Sequence, residues 1–248
     1  MGYLRMTNAP DGTGELRLIC AGGFKAAIEK LATRFEAITG RRSVITIGTP
    51  ADTRRLMSGG TPFDVAVVTG HTLTDAVAAS IDPHTRFSVA KSPAGMGARE
   101  DLAVPAIGSE EAFRAAIAAV STIGLSDPQA GTNMASHILV AAAEIGIRSE
   151  LEAKARYIMG PGFVVARRVA AGEADAVMTL ATEITSAPGI RYLGALPDSM
   201  KLGTVFGAAI ANTDANATRD ATAAQAFVAF LKTGEAGDIM RSTGLVTL

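Results

Sequence analysis

The chain has 248 residues, with 23 Lys and Arg against 24 Asp and Glu and a net charge of −1. This balance argues against a nucleic-acid-binding protein, which usually carries a basic face, and gives no polybasic signal for a membrane surface. Hydrophobic residues make up 48% and charged residues 19%, which is typical of a globular protein. The single cysteine, Cys20, excludes an intrachain disulfide framework and any metal site built from several cysteines.

The first 14 residues are predicted to form a flexible tail without a secretion signal. Met1–Gly14 contains no apolar stretch preceded by positive charge. No later run of about 18 apolar residues predicts a membrane span. We therefore expect a cytoplasmic protein. The alternative is a periplasmic protein whose export signal has been removed.

From residue 16 onward, short apolar runs alternate with helical periodicity. Leu16–Cys20 predicts a strand, and Ser43–Ile47 and Asp64–Val68 predict two more, with a short helix at Asp52–Met57. Between the first two strands, apolar residues recur every three or four positions, as on one helix face: Phe24, Ile28, Leu31, Phe35 and Ile38. The order β-α-β-α-β predicts a parallel, doubly wound sheet.

The rest of the chain repeats this alternation, so an α/β fold is predicted throughout. A bend is predicted at Ser92–Gly95, where Pro and Gly interrupt an apolar run. Further strands are predicted at 87–90, 123–126, 157–159, 174–178, 191–193 and 204–210. Helices are predicted at 110–120, 134–145, 164–171, 222–231 and 235–240.

Four predicted strands end in loops of small residues, and each loop precedes a helix. The loops are Ala21–Gly23, Gly48–Pro50, Ala130–Thr132 and Gly160–Gly162. In an open α/β sheet, ligands bind beyond the carboxyl ends of the strands, where helix N-termini favour anions. The pattern favours an anion site, although Gly and Pro also punctuate ordinary strand–helix turns.

The order and spacing of several segments resemble the type 2 periplasmic binding protein superfamily, and most closely its molybdate-binding-like branch. The segments that carry the resemblance are Leu18–Lys25, Phe35–Gly40, Gly60–Val67, Ser126–Thr132, Val169–Ala176, Gly189–Pro197 and Val205–Ala209. The resemblance implies two doubly wound lobes joined by a two-stranded hinge, with a small anion bound in the cleft between them. Lobe 1 would comprise residues 15–88 and 201–248, and lobe 2 residues 89–200. An exported member would work with the permease of an ABC transporter.

The molybdate-binding pattern places hydroxyl groups in the first two loops. Here the first loop, formed by Ala21, Gly22 and Gly23, has none, and the second keeps Thr49. Backbone N–H groups of such loops bind an oxyanion or a carboxylate equally well. The expected ligand is therefore a small anion of either kind.

The same branch also resembles aconitate isomerase, which gives an enzyme as the alternative. A cytoplasmic isomerase of an unsaturated tricarboxylate would shift an allylic proton, which needs a base and donors for the developing charge. The candidate catalytic residues are Glu183 and His71, each just past a predicted strand. Each is also explained as an ordinary polar residue at a helix start or turn.

Further ligand contacts are expected from residues beside these loops. Arginine suits carboxylates because its guanidinium donates two parallel hydrogen bonds. The candidates are Arg54, Arg99, Ser126, Ala130, Gly131 and Thr132. No spacing of His, Cys, Asp or Glu predicts a metal site, and no nucleotide motif occurs. We therefore predict no cofactor, no nucleic-acid partner and no membrane insertion.

Overall fold

The chain folds into two units, seen in a computed structural model that describes residues 4–6, 14–212 and 220–248. Unit 1 comprises Met1–Lys91 and Val205–Leu248, and unit 2 comprises Ser92–Thr204. The chain therefore passes between the units twice. Within the expected tail 1–14, Leu4–Met6 form a strand, while residues 1–3 and 7–13 lie outside the described residues.

Strands and helices alternate along most of the described chain. The strands are β1 Leu4–Met6, β2 Leu16–Ala21, β3 Ser43–Gly48, β4 Val65–Thr69, β5 Phe87–Arg99, β6 Ile123–Ser126, β7 Ala155–Ile158, β8 Ala176–Leu180, β9 Ile190–Ala195, β10 Gly203–Ile210 and β11 Val246–Thr247. The helices are α1 Lys25–Thr39, α2 Pro50–Ser58, α3 Glu110–Ala118, α4 Met134–Glu144, α5 Arg148–Lys154, α6 Gly162–Ala170, α7 Ala181–Thr185, α8 Ala221–Leu231 and α9 Gly234–Arg241.

The sheet of unit 1 is built on three parallel strands in the order β3-β2-β4. Strand β1 pairs antiparallel with β3, and β10 pairs antiparallel with β4. Every residue of β4 is buried, as expected for a continuous apolar run in a parallel sheet. Because the parallel strands share one direction, they end at the same edge, which we call the carboxyl edge of unit 1. Ala21, Gly48 and Thr69 lie there.

In unit 2, strands β6, β7 and β8 are parallel in the order β8-β6-β7. Their ends, Ser126, Ile158 and Leu180, form the carboxyl edge of unit 2. Strand β5 runs antiparallel to β8 and also pairs with β9. One buried cluster contains side chains of α3, α4 and α5, and a second contains side chains of α6 and α7. Neighbouring residues of β8 divide between these clusters, because Ala176 and Met178 belong to the first and Val177 to the second, so the helices cover both faces of this sheet.

The bend predicted at Ser92–Gly95 is wrong, because these residues lie inside β5. Gly95 pairs with Thr179 of β8. A Cβ at Gly95 would lie 2.6 Å from Cε2 of Tyr192, so this glycine marks close packing within the sheet rather than a turn. As a result, β5 continues to Arg99, with a shift in its register against β9 between Met96 and Gly97.

Candidate functional site

The first predicted loop lies at the carboxyl edge of unit 1 and leads directly into α1. Ala21 is the last residue of β2, and Gly22–Phe24 form a single 3-10 turn before α1 begins. Ala21, Gly22 and Gly23 are all buried. With no polar side chain here, the turn offers a ligand only its backbone.

The second loop is closed by a reciprocal cap at the start of α2. The Thr49 hydroxyl oxygen accepts the backbone N–H of Asp52 at 3.1 Å. In return, Oδ2 of Asp52 accepts the backbone N–H of Thr49 at 3.3 Å and its hydroxyl at 2.9 Å. This capping box satisfies N–H groups that a helix start leaves unpaired. The carboxylate of Asp52 therefore supplies the negative charge that the sequence analysis expected from a ligand at this helix.

The other two candidates in unit 1 are exposed. Arg54 lies on α2 and forms no ion pair with another described residue. His71 lies in a 3-10 turn just past β4, with Nε2 3.4 Å from Oγ1 of Thr69. The Thr69 hydroxyl also lies 2.7 Å from that of Thr72. This buried pair of threonines at the carboxyl edge was not singled out by the sequence analysis.

The third predicted loop lies at the carboxyl edge of unit 2, directly after β6. The N–H of Ala130 donates to the carbonyl of Asp127 at 2.9 Å, and the N–H of Gly131 to that of Pro128 at 3.2 Å. Gly131 has a φ of 77°, a left-handed conformation that glycine adopts without strain. Both N–H groups therefore hold the loop itself together.

Helix α4 begins beyond this loop without a side-chain cap. Its N-cap residue, Asn133, makes no capping bond, and the same holds for the N-cap residues of α1, α5, α6 and α7. Side chains cap the starts of α2, α3, α8 and α9. Just before it, Oγ1 of Thr132 is buried and has no hydrogen-bond partner within the described ranges. A bound anion would satisfy both the hydroxyl and the uncapped N–H groups.

Ser126 lies at the end of β6 and is 4% exposed. Its side chain makes no hydrogen bond to another described residue. Strand alternation sets its direction, because Gly124 pairs with Val177 and faces Val165 of α6. Ser126, two residues farther, faces the same side of the sheet. On that side, Thr179 occupies the corresponding position of β8.

The carboxylate of Glu183 is buried at the start of α6. The residue is 6% exposed, and Oε2 accepts the hydroxyl of Thr179 at 2.6 Å. Backbone N–H groups of Gly162 and Phe163 also donate to this carboxylate. Burial raises the pKa of Glu183, and the hydrogen bonds oppose that rise. A carboxylate of the protein itself therefore occupies the fourth predicted loop, Gly160–Gly162.

Thr179 is the part of this cluster that sequence reasoning missed, and Gly162 was predicted only as part of an anion-binding loop. A Cβ at Gly162 would lie 2.1 Å from both Oε2 of Glu183 and Oγ1 of Thr179, so only glycine fits. The available signal was the i, i+4 spacing of Thr179 and Glu183 across the end of a buried strand. Glu183 was expected just past the strand, either as a candidate base or as a solvated glutamate at a helix start. It lies in the first turn of α7, but as a buried, hydrogen-bonded carboxylate.

The structure places Arg99 away from the other candidates of unit 2. Because β5 runs antiparallel to β8, Ala98 pairs with Ala176, at the start of β8. Arg99 therefore lies at the edge opposite Ser126. Its guanidinium is also paired with Asp101, through bonds of 3.0 and 2.8 Å.

The candidate residues thus fall into separate groups. Ser126, Thr179, Glu183 and Gly162 lie together at the carboxyl edge of unit 2, with Thr132 beside α4. Ala21, Gly22, Gly23, Thr49 and His71 lie at the carboxyl edge of unit 1. Across residues 4–6, 14–212 and 220–248, no group of three or more His, Cys, Asp or Glu could hold a metal ion. A search of the same residues finds no helix long and apolar enough to cross a membrane.

Solved structures of binding proteins share this fold. The periplasmic molybdate-binding protein of Azotobacter vinelandii is 21% identical, with a TM-score of 0.73 over 94% of this chain and 99% of that one. PEB3 of Campylobacter jejuni, solved with L-phospholactate, is 16% identical, with a TM-score of 0.70 over 94% and 99%. The sulfate-binding protein SubI of Mycobacterium tuberculosis is 14% identical, with a TM-score of 0.69 over 94% and 86%. The fold is therefore that of a type 2 periplasmic binding protein, as predicted.

A sequence profile identifies the family. The profile described as bacterial extracellular solute-binding protein matches residues 16–246. The chain belongs to this family. No curated protein matches the chain by sequence. The predicted resemblance to the molybdate-binding-like branch is confirmed, whereas the cytoplasmic location and the isomerase activity find no support.

Proposed function

We propose that the protein binds a small anion at the carboxyl edge of unit 2, as the solute-binding component of a transport system. The observation that carries this proposal is the buried Oγ1 of Thr132, which has no hydrogen-bond partner among the described residues. The Ser126 hydroxyl, at the end of β6, is a second candidate donor. A buried polar group left unpaired costs about 1–3 kcal/mol, which a bound acceptor would recover. The uncapped start of α4 adds N–H donors and partial positive charge.

The ligand we propose is an oxyanion or a small organic carboxylate. The solved relatives are described with molybdate, sulfate or L-phospholactate, all of them small anions. Of the two predicted loops of unit 1, the first has no charged side chain at its helix start, whereas Asp52 already occupies the start of α2.

We further infer a periplasmic location and an ABC transporter permease as the partner. Both inferences rest on the extracellular solute-binding family to which residues 16–246 belong. A protein of this kind captures its solute outside the inner membrane and delivers it to a permease. Neither inference depends on which anion is bound.

Thermal unfolding in the presence of single anions tests the proposal. The panel contains molybdate, tungstate, perrhenate, sulfate, phosphate, L-phospholactate, succinate, succinamate and citrate. A ligand at about 100 times its Kd adds about 2.7 kcal/mol of stability, which raises the Tm by several degrees for a chain of this size.

A matched pair of variants locates the site. The double variant Ser126→Ala/Thr132→Val removes both hydroxyls and is expected to lose most of the shift. Ser43→Ala removes a hydroxyl that is equally buried and unpaired, but at the start of β3, and should keep the shift. The proposal fails if no anion shifts the wild-type Tm, or if the double variant keeps the full shift.

A further inference from the structure

The carboxylate of Glu183 occupies the place at the start of helix α6 where an anion could otherwise bind. This helix has nine residues, and its first two N–H groups, those of Gly162 and Phe163, donate to the Glu183 carboxylate. The Thr179 hydroxyl donates to the same carboxylate at 2.6 Å. A carboxylate at a helix start offsets the partial positive charge there. These N–H groups are therefore directed at a negative charge that the protein already carries.

Ser126 would bring a ligand close to this carboxylate. Its side chain lies at the carboxyl edge, on the same face of the sheet as Thr179. None of the groups acting on Glu183 is a Lys, Arg or His, because its partners are hydroxyl and backbone donors. A ligand that accepts a hydrogen bond from Ser126 therefore meets a negative charge that no described cation balances.

We infer that Glu183 is a specificity-determining residue that makes the site prefer anions with one negative charge over dianions of the same shape. This inference rests on the proposed function, since it concerns the same edge of unit 2. It also names the ligand class more narrowly, as a monoanion.

Ligand pairs that differ in charge but not in shape test this inference directly. Perrhenate and tungstate are tetrahedral oxyanions of nearly equal size, with one and two negative charges. Succinamate and succinate differ by an amide in place of one carboxylate. At pH 8 each of these charges is fixed, so a preference that calorimetric Kd values show in both pairs reflects the difference in charge that the pairs share.

Two variants with the same change in net charge test whether Glu183 causes this preference. Glu183→Gln keeps the size of the side chain and an acceptor for Gly162. Glu173→Gln is the control, because Glu173 is exposed and lies before the start of β8, at the opposite edge of the sheet. A unit charge acting over about 10 Å at an effective dielectric constant of about 20 changes a binding constant by about tenfold.

The expected result is a wild-type protein that binds the monoanion of a pair at least as tightly as the dianion. Glu183→Gln should shift that ratio about tenfold toward the dianion, and Glu173→Gln should leave it unchanged. If the wild type binds the dianion more tightly in both pairs, the inference is overturned whether or not Glu183→Gln folds. A ratio unaltered in a folded Glu183→Gln protein overturns it as well. In both cases anion binding itself persists, whereas failure of the proposed function appears as no binding of any anion.

Discussion

Two buried hydroxyl oxygens, Oγ of Ser43 and Oγ1 of Thr132, have no hydrogen-bond partner in the part of the chain that the structure describes. Ser43 begins strand β3, whereas Thr132 follows a strand end and precedes helix α4. The two hydroxyls therefore lie at opposite edges of their sheets. An unpaired hydroxyl at the proposed binding edge could hydrogen-bond a ligand, whereas one at the other edge could not. The two residues therefore form a natural comparison between a binding role and a packing defect.

The ligand-free Thr132→Val protein is expected to be more stable than the wild type. Valine has the shape of threonine and removes the unpaired oxygen, so the free energy of unfolding should rise by about 1 kcal/mol. Urea unfolding without added anions measures this change. Ser43→Ala should also raise stability, so the two variants separate only when ligand is present. A lower stability for Thr132→Val would mean that its hydroxyl is paired within the protein.

Gly162 sets the space for the Glu183 carboxylate, and replacing it should be costly. In Gly162→Ala, the new Cβ would lie 2.1 Å from both Oε2 of Glu183 and Oγ1 of Thr179. We expect a loss of about 1–3 kcal/mol in the free energy of unfolding, as for other overpacked sites. The control is Gly234→Ala, since Gly234 also begins a helix but has no neighbouring atom within 4 Å of the position that a Cβ would take.

Gly234→Ala should leave stability unchanged or raise it by up to about 1 kcal/mol, because alanine favours a helix more than glycine does. Chemical denaturation of both variants measures the difference. Equal stabilities of Gly162→Ala and the wild type would contradict the tight packing around Glu183.

At the scale of the elements, the buried carboxylate of Glu183 in α7 accepts hydrogen bonds from the start of α6. The contribution of this contact to the free energy of unfolding should depend on pH. Burial raises the pKa of Glu183 above the value of about 4.3 expected in an unfolded chain. Between those two pKa values, the folded protein holds a proton that the unfolded chain has released. Stability from this residue therefore falls as pH rises through that window and becomes constant above the folded pKa.

Glu183→Gln should abolish this contribution. Urea unfolding of the ligand-free proteins over a pH series should show the wild type losing stability relative to Glu183→Gln as pH increases from about 4.3. Glu173→Gln, at the exposed opposite edge, should follow the wild-type curve. A difference that is constant with pH, or that grows in favour of the wild type, would contradict the raised pKa.

The elements themselves were largely predictable from periodicity. Strand β6 has the predicted bounds, Ile123–Ser126. Helices α4 and α8 each differ from the prediction by one residue at one end. The wrong prediction at Ser92–Gly95 has a physical cause. Pro and Gly usually indicate a turn, but here the side chain of Tyr192 occupies the space that a Cβ at Gly95 would take. That neighbour is distant in sequence, so local patterns do not reveal it.

The same limit applies to the four predicted anion loops. All four lie at strand ends before helices, as the alternation of elements predicts. The predictions did not include that Asp52 and Glu183 already fill two of the helix starts. Asp52 is three residues from its partner Thr49 and was within reach of a capping-box argument. Glu183 is 21 residues from Gly162, and only the fold brings them together.

At the scale of the whole molecule, the family and the fold define a solute-binding protein. The unpaired hydroxyl of Thr132 and the uncapped start of α4 are the reasons for proposing its site in unit 2. Within unit 2, α4 is the proposed anion-binding helix, since the start of α6 is occupied by Glu183. Arg99 lies away from the proposed site, because the strand that carries it runs to the opposite edge.

Amide hydrogen exchange with and without the anion that gives the largest thermal shift tests the location of the site most directly. The first N–H groups of a helix have no acceptor within it, so those of Thr132–Ser136 should exchange rapidly in the ligand-free protein. The account predicts that the ligand slows exchange at Thr132–Ser136. The start of α8, already capped by Asp220, should change little. Protection confined to other segments, with no change at Thr132–Ser136, would contradict it.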